Sequence, residues 1–157
     1  MNREKAIKLY DELKSMCPGL ILAGSTLRGK KEGIHDLDLI LVCKIFHMHL
    51  LPVGHMDSTP KVEGQDILRF DYKGEQVDIY RTEAKSLGAM KLHLTGPKEY
   101  GIYLRSKAKK MGMKLNQYGL FEGDDLVASK TEEDILNKLG VKYIAPEKRD
   151  GFRSIKI

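Results

Sequence analysis

The chain has no tryptophan, and only two cysteines and five prolines among its 157 residues. Cys17 and Cys43 form no CxxC spacing, which excludes a disulfide framework and a thiolate-rich zinc module. A domain of this length needs neither, because folding hides about 70% of its unfolded surface. The scarcity of proline excludes a collagen-like or low-complexity chain, and 41% apolar residues exclude disorder. No apolar run approaches the ~18 residues of a membrane span. The opening segment, MNREKAIKLYDELKS, is charged and helix-periodic, unlike a signal peptide. The expectation is one compact domain or two small ones in a reducing cytoplasm, off the membrane, with both thiols buried.

What is there is basic, with 27 Lys+Arg against 22 Asp+Glu and a net charge of +5. Residues 1–90 balance at 13 of each sign, so residues 91–157 carry the whole excess. Lys91, Lys98, Arg105, Lys107, Lys109, Lys110 and Lys114 face only Glu99 within 91–116. Such an excess fits an anionic partner such as nucleic acid, and it fits a solvated helix face equally well.

Periodicity predicts a helix over 2–16, with Ala6, Tyr10, Leu13 and Cys17 on one side and Pro18-Gly19 ending it. Short strands follow at Leu20–Ala23 and Asp36–Cys43. Residues 44–62 read as a short helix and a loop. Asp66–Tyr72 and Glu75–Tyr80 flank Lys73-Gly74 as a hairpin. A second part starts near residue 84: Gly96-Pro97 opens a helix over Lys98–Met111, capped by Gly112. Lys114–Phe121 reads as one strand, with Leu126–Ala128 returning after a turn. Thr131 caps a last helix that runs to Leu139 and closes at Gly140.

The chemistry concentrates upstream. In Asp36-Leu37-Asp38, alternation sends both carboxylates to one face about 7 Å apart, where they can share hard cations and otherwise repel. Gly24-Ser25-Thr26-Leu27-Arg28 precedes them. Its glycine admits close backbone approach, while serine and arginine offer donors to an anion; it also reads as an ordinary turn. Asp78 lies between Val77 and Ile79, in a strand where a carboxylate requires cationic compensation.

Together, Gly24-Ser25-x-x-Arg28, Asp36-x-Asp38 and Asp78 resemble the palm pattern of the polymerase-beta-like nucleotidyltransferase superfamily. The second half narrows the resemblance to the X family of DNA polymerases. His93-Leu94-Thr95-Gly96 is similar to that family's Tyr-Phe-Thr-Gly element, and Asn116-Gln117-Tyr118-Gly119-Leu120-Phe121 resembles its thumb strand. Leu139-Gly140-Val141-x-Tyr143-x-x-Pro146-x-x-Arg149 looks like its closing segment. The pattern is nearest the reduced, palm-and-thumb viral type, without the lyase domain or helix-hairpin-helix segments of larger relatives.

The resemblance implies an α+β fold: a palm over 1–84 with a mixed sheet and two helices, then a small thumb over 85–157. It implies a template-directed polymerase that adds dNMP to a primer 3′-hydroxyl and releases pyrophosphate, filling gaps in repair as a monomer. Asp36, Asp38 and Asp78 would bind two Mg²⁺ ions, for which Mn²⁺ can substitute. Gly24, Ser25 and Arg28 would hold the triphosphate of the dNTP. His93, Leu94, Gly96 and Gly101 would border the nucleotide's sugar and base. Arg105, Lys107, Lys109, Lys110, Asn116 and Gln117 would contact primer–template or gapped DNA.

The chain departs from the family pattern at several positions. Seven residues separate Arg28 from Asp36, one more than the family has. Gln76 stands where many relatives carry an arginine that orients the third aspartate. Leu94 replaces an aromatic, His93 a tyrosine and Gly101 an asparagine. The rival on the same palm is a tRNA CCA-adding, terminal or small-molecule nucleotidyltransferase, since Gly-Ser-Thr-x-Arg-Gly occurs there too. The Thr-Gly and Asn-Gln-Tyr-Gly-Leu-Phe elements speak for the polymerase, and three retained carboxylates speak against a silent DNA-binding module. His47, His49 and His55 lack a completing ligand at zinc spacing. Tyr103 and Tyr118 are the aromatics expected to meet nucleic acid, and 149–157 reads as a mobile basic tail.

Overall fold

The computed structural model describes residues 1–47, 55–57, 60, 62, 63 and 66–154. His49 lies outside them. The chain divides into two compact units, Met1–Thr82 and Glu83–Ile157.

The first unit opens with helix α1 (Arg3–Met16), capped by Asn2, whose side chain accepts from the Lys5 amide at 2.8 Å. Strand β1 (Ile21–Leu22) and a one-turn helix α2 (Gly24–Leu27) follow. Strands β2 (Asp36–Val42), β3 (Val62–Glu63), β4 (Ile67–Tyr72) and β5 (Glu75–Thr82) complete a five-stranded sheet ordered β1-β2-β5-β4-β3. Only β2 and β5 run parallel. One face of the sheet is apolar: Leu37, Leu39, Leu68, Phe70, Val77 and Ile79 cluster with Ala6, Leu9 and Leu13 of α1. That burial fixes which face is left for Asp36, Asp38 and Asp78, because neighbouring residues in a strand point opposite ways.

The β4–β5 hairpin turns at Lys73 (φ 50°) and Gly74 (φ 79°), the positive pair that a two-residue hairpin loop needs. Lysine is an awkward occupant there. The Asp57 carboxylate offsets the awkwardness by accepting from both turn amides, Lys73 at 3.0 Å and Gly74 at 2.8 Å.

The second unit comprises a single turn of 3-10 helix, helices α3 (Leu87–Thr95) and α4 (Lys98–Lys110), and a sheet of β6 (Lys114–Asn116), β7 (Gly119–Glu122) and β8 (Asp125–Ala128). Helix α5 (Glu132–Leu139), capped by the Thr131 hydroxyl and ended by left-handed Gly140, precedes a 3-10 segment, Pro146–Ser154. Its core gathers Leu92, Tyr100, Leu104, Leu120, Ile135 and Leu136.

Periodicity did not predict α3, which is apolar around most of its circumference and so shows no stripe. Its Gly88 abuts the Thr131 backbone, where any side chain would collide. The expected single strand over 114–121 is a hairpin instead. Asn116 Oδ1 accepts from the amides of Tyr118 (2.8 Å) and Gly119 (3.2 Å), folding the chain back on itself. The mobile tail is also corrected over 149–154: Arg149 is fully buried, and Phe152 packs on Tyr100 and Tyr103. Tyr103 is therefore held in an aromatic cluster. Cys17 is buried as expected, whereas Cys43 is half-buried at the end of β2.

Candidate active site

The face of the sheet opposite α1 brings the three aspartates together. Parallel pairing of β2 and β5 sets Asp36 beside Gln76 and Asp38 beside Asp78. One carboxylate oxygen from each of Asp36, Asp38 and Asp78 lies within 4.8 Å of the others. Among the described residues this is the one cluster of three metal-ligating side chains, and His47 and His55 join no such group. All its donors are hard carboxylate oxygens close enough to share an ion, a set that fits Mg²⁺ or Mn²⁺ rather than a thiophilic metal.

The electrostatics are those of a site built to hold cations. The Asp38 carboxyl is pushed up to about 7, first by burial and then by Asp36 and Asp78, with Arg69 and Arg28 opposing. Tyr80, two residues beyond Asp78 on β5, is pushed up to about 12, again by burial first and then by Asp38 and Asp78. Gln76 Nε2 donates to Asp78 Oδ1 at 3.3 Å and reaches Asp36 Oδ2 at 3.5 Å.

Sequence reasoning missed Arg69. It lies on β4 in register with Asp78, and its guanidinium forks onto the carboxylate: Nε to Oδ1 at 2.8 Å and Nη2 to Oδ2 at 3.1 Å. The signal was available. A two-residue turn at Lys73-Gly74 pairs Tyr72 with Glu75, and counting back along both strands puts Arg69 opposite Asp78.

Gly24 and Arg28 sit beside the acids. The Ala23 amide donates to the Asp38 carbonyl at 3.0 Å, which pins the start of α2 to β2. Gly24 adopts φ 69°, and a side chain there would strike the Asp38 carboxylate. Only glycine lets this backbone pass so near the acid pair. Ser25 is half-buried in the same turn, and its carbonyl accepts from the Lys30 amide at 3.0 Å, which closes the turn after α2.

The remaining expected site residues belong to the second unit. His93, Gly101, Arg105 and Asn116 line one pocket with Leu92 and Leu115, whereas Leu94, Gly96 and Gln117 do not line it. Arg105 folds back over Gly101, one helical turn away, with Nη1 3.1 Å from where a Cβ would stand. His93 is solvent-accessible, but its pKa is lowered by partial burial first and then by Arg105. On α4, Arg105, Lys109 and Lys110 are exposed and Lys107 is half-buried.

Residues 90–150 match the family model described as the DNA polymerase beta thumb. Repair DNA polymerase X of African swine fever virus (isolate Tick/South Africa/Pretoriuskop Pr4/1996) is 34% identical over 148 residues, covering 87% of this chain and 84% of the viral protein. DNA polymerase IV of Saccharomyces cerevisiae is 39% identical over 140 residues, covering 88% of this chain and 23% of the yeast protein. In fold, the chain is similar to Leishmania infantum polymerase beta in a ternary P/T complex. The TM-score is 0.78 at 20% identity, over 96% of this chain and 76% of that one. A ternary gap complex of the same protein gives a TM-score of 0.79 at 19% identity, with 96% and 70% covered. No helix among the described residues is long and apolar enough to cross a membrane.

Proposed function

The chain belongs to the X family of DNA polymerases, and on that premise we propose that this DNA-directed DNA polymerase extends a primer 3′-end at short gaps by a two-metal mechanism. The carrying observation is the convergence of Asp36, Asp38 and Asp78 within 4.8 Å, beside a glycine turn that admits no side chain.

The three aspartates would hold two Mg²⁺ ions, Asp36 and Asp38 serving both and Asp78 one. Bound there, the ions would supply a lowered pKa at the primer hydroxyl and positive charge to offset that of the pyrophosphate. The protein's own part is positional. The parallel strands set Asp38 directly beside Asp78, and of the three carboxylates Asp78 is the one fully buried. Gly24 and Ser25 present backbone and hydroxyl donors to the β- and γ-phosphates, and Arg28 adds its charge beside them. Asp38 binds a proton readily in the free site, so cation loading and proton release are coupled.

In the proposed thumb, 85–157, His93, Leu94 and Gly96 border the sugar and Gly101 the base. Arg105, Asn116 and Gln117 approach the DNA, and Lys107, Lys109 and Lys110 add a salt-dependent hold on phosphate. Primer extension on a one-nucleotide gap tests the reading. Wild type extends with Mg²⁺ and Asp78→Ala does not; a wild type that leaves the gap unfilled while labelling tRNA or unprimed ends overturns it.

A further inference from the structure

We propose that Arg69 is a positioning residue of the acidic site: from the neighbouring strand, it sets the plane of the Asp78 carboxylate and stands in for a cation until one binds. This rests on the polymerase reading of the triad, and it goes beyond that reading by adding a residue from β4.

The geometry separates Arg69 from an ordinary surface ion pair. It engages both oxygens of Asp78 at 2.8 and 3.1 Å, through Nε and Nη2, so the carboxylate cannot rotate about its last bond without breaking a contact. Asp78 is 1% exposed and Arg69 33%, so the acid is sealed while the guanidinium meets it from the open side. Strand register enforces the meeting: Arg69 and Asp78 are direct cross-strand partners, and Asp38 is the next partner along the same row. Leu68 and Phe70, on either side of Arg69, are clamped in the core and hold its strand in place. Among the described residues, Gln76 also hydrogen-bonds Asp78, but its amide is neutral and the contact longer at 3.3 Å. Among the described residues, Arg69 is thus the charged group hydrogen-bonded to the most buried acid of the three.

A fork and a charge make different demands, and two variants separate them. Arg69→Gln loses both, whereas Arg69→Lys keeps the charge and loses the fork. Wild type and both variants are measured for single-nucleotide gap filling with Mg²⁺, and for thermal unfolding with and without Mn²⁺ in the absence of DNA and nucleotide. The expected result for Arg69→Gln is a kcat about 10- to 100-fold lower, the usual cost of losing a group that orients a metal ligand, with KM for dNTP within about 3-fold. Its Tm without metal falls, and Mn²⁺ raises that Tm further than it raises the wild type's, because the cation takes over the missing charge. Arg69→Lys returns the metal-free Tm towards wild type and leaves kcat at least about 10-fold low.

An Arg69→Gln enzyme with wild-type kcat overturns the proposal. So does a Tm deficit equal with and without Mn²⁺, which would make Arg69 a plain structural contact. Full recovery of kcat in Arg69→Lys also overturns it, by reducing the role to charge. If wild type fills no gap at all, the polymerase reading falls, and the response of Tm to Mn²⁺ still decides the role of Arg69.

Discussion

Each unit of the molecule holds an arginine–carboxylate pair with one fully buried member, Arg69–Asp78 in the first and Arg149–Glu132 in the second, and the two are built in opposite senses. In the first unit the acid is sealed, Asp78 at 1% exposure, and its partner Arg69 is a third exposed. In the second the arginine is sealed, Arg149 at 0%, and its partner Glu132 is 12% exposed, the two meeting at 2.8 Å. Arg149 also donates Nε to the Ile144 carbonyl at 2.9 Å, and it lies over the rings of Tyr100 and Tyr143 at 5.5 and 5.6 Å. The whole side chain is shut away from solvent, its Nη2 buried without a hydrogen-bond partner among the described residues. Around Asp78, by contrast, two further carboxylates crowd the same face, an arrangement that costs energy until cations arrive. The same pair chemistry thus closes the C-terminal segment onto one unit and keeps a site in readiness on the other.

Breaking the first pair's acid has the largest expected effect. Asp78→Ala lowers gap filling by at least about 10³-fold, the scale of removing one member of a group that acts as a unit. Urea unfolding of the same variant shows little loss, since a site short of cations loses repulsion along with its carboxylate. Breaking the second pair reverses the outcome. Arg149→Ala leaves Glu132 without its partner and the Tyr100 ring without its cover, and it costs about 3–5 kcal/mol in urea unfolding. A variant that stays as stable as wild type removes the structural role assigned to Arg149.

A smaller effect sharpens the comparison through pH. Asp38 has a folded pKa near 7 against an ordinary 3.8, so the folded site holds a proton that the unfolded chain has released. The stability that this carboxyl contributes to the metal-free protein is therefore greatest at acidic pH and is lost as pH rises through that window, on the order of a few kcal/mol between pH 4 and 7. Asp38→Asn flattens that slope and stabilises the metal-free protein at pH 8 while abolishing gap filling. A slope unchanged by Asp38→Asn assigns the pH dependence elsewhere. The least effect belongs to the exposed helix. Lys110→Ala weakens DNA binding modestly and reduces the slope of log affinity against log salt by about 1, read by fluorescence anisotropy at several salt concentrations.

Much of the first unit was legible because its residues carry strong local signals. Alternation in Asp36–Val42 and the Lys73-Gly74 turn placed β2, β4 and β5 within a residue or two, and the Asp-x-Asp spacing marked the acidic face. Periodicity did the same for α1 and the Thr131 cap for α5, where the hydroxyl accepts from the Asp134 amide. Helix α3 was illegible because a segment covered on several sides loses its stripe. The break between β6 and β7 was illegible because one side-chain oxygen makes it, and strand propensity outvotes a single asparagine. Arg149 looked like tail charge because nothing local announces that Tyr100, 49 positions upstream, lies under it.

What the sequence by itself determined was the set of groups and their spacing along the chain: three carboxylates, a glycine turn before them and a basic run after them. Local rules sufficed, because a two-residue side-chain period and a helical cap are decided within a few bonds. What only the tertiary structure decided was which distant groups meet. Parallel pairing brought Asp78 to Asp38 across 40 positions, and antiparallel pairing delivered Arg69 to both oxygens of Asp78. Such meetings follow from the burial of an apolar sheet face, which fixes strand order and register together, and no short stretch of sequence contains that information.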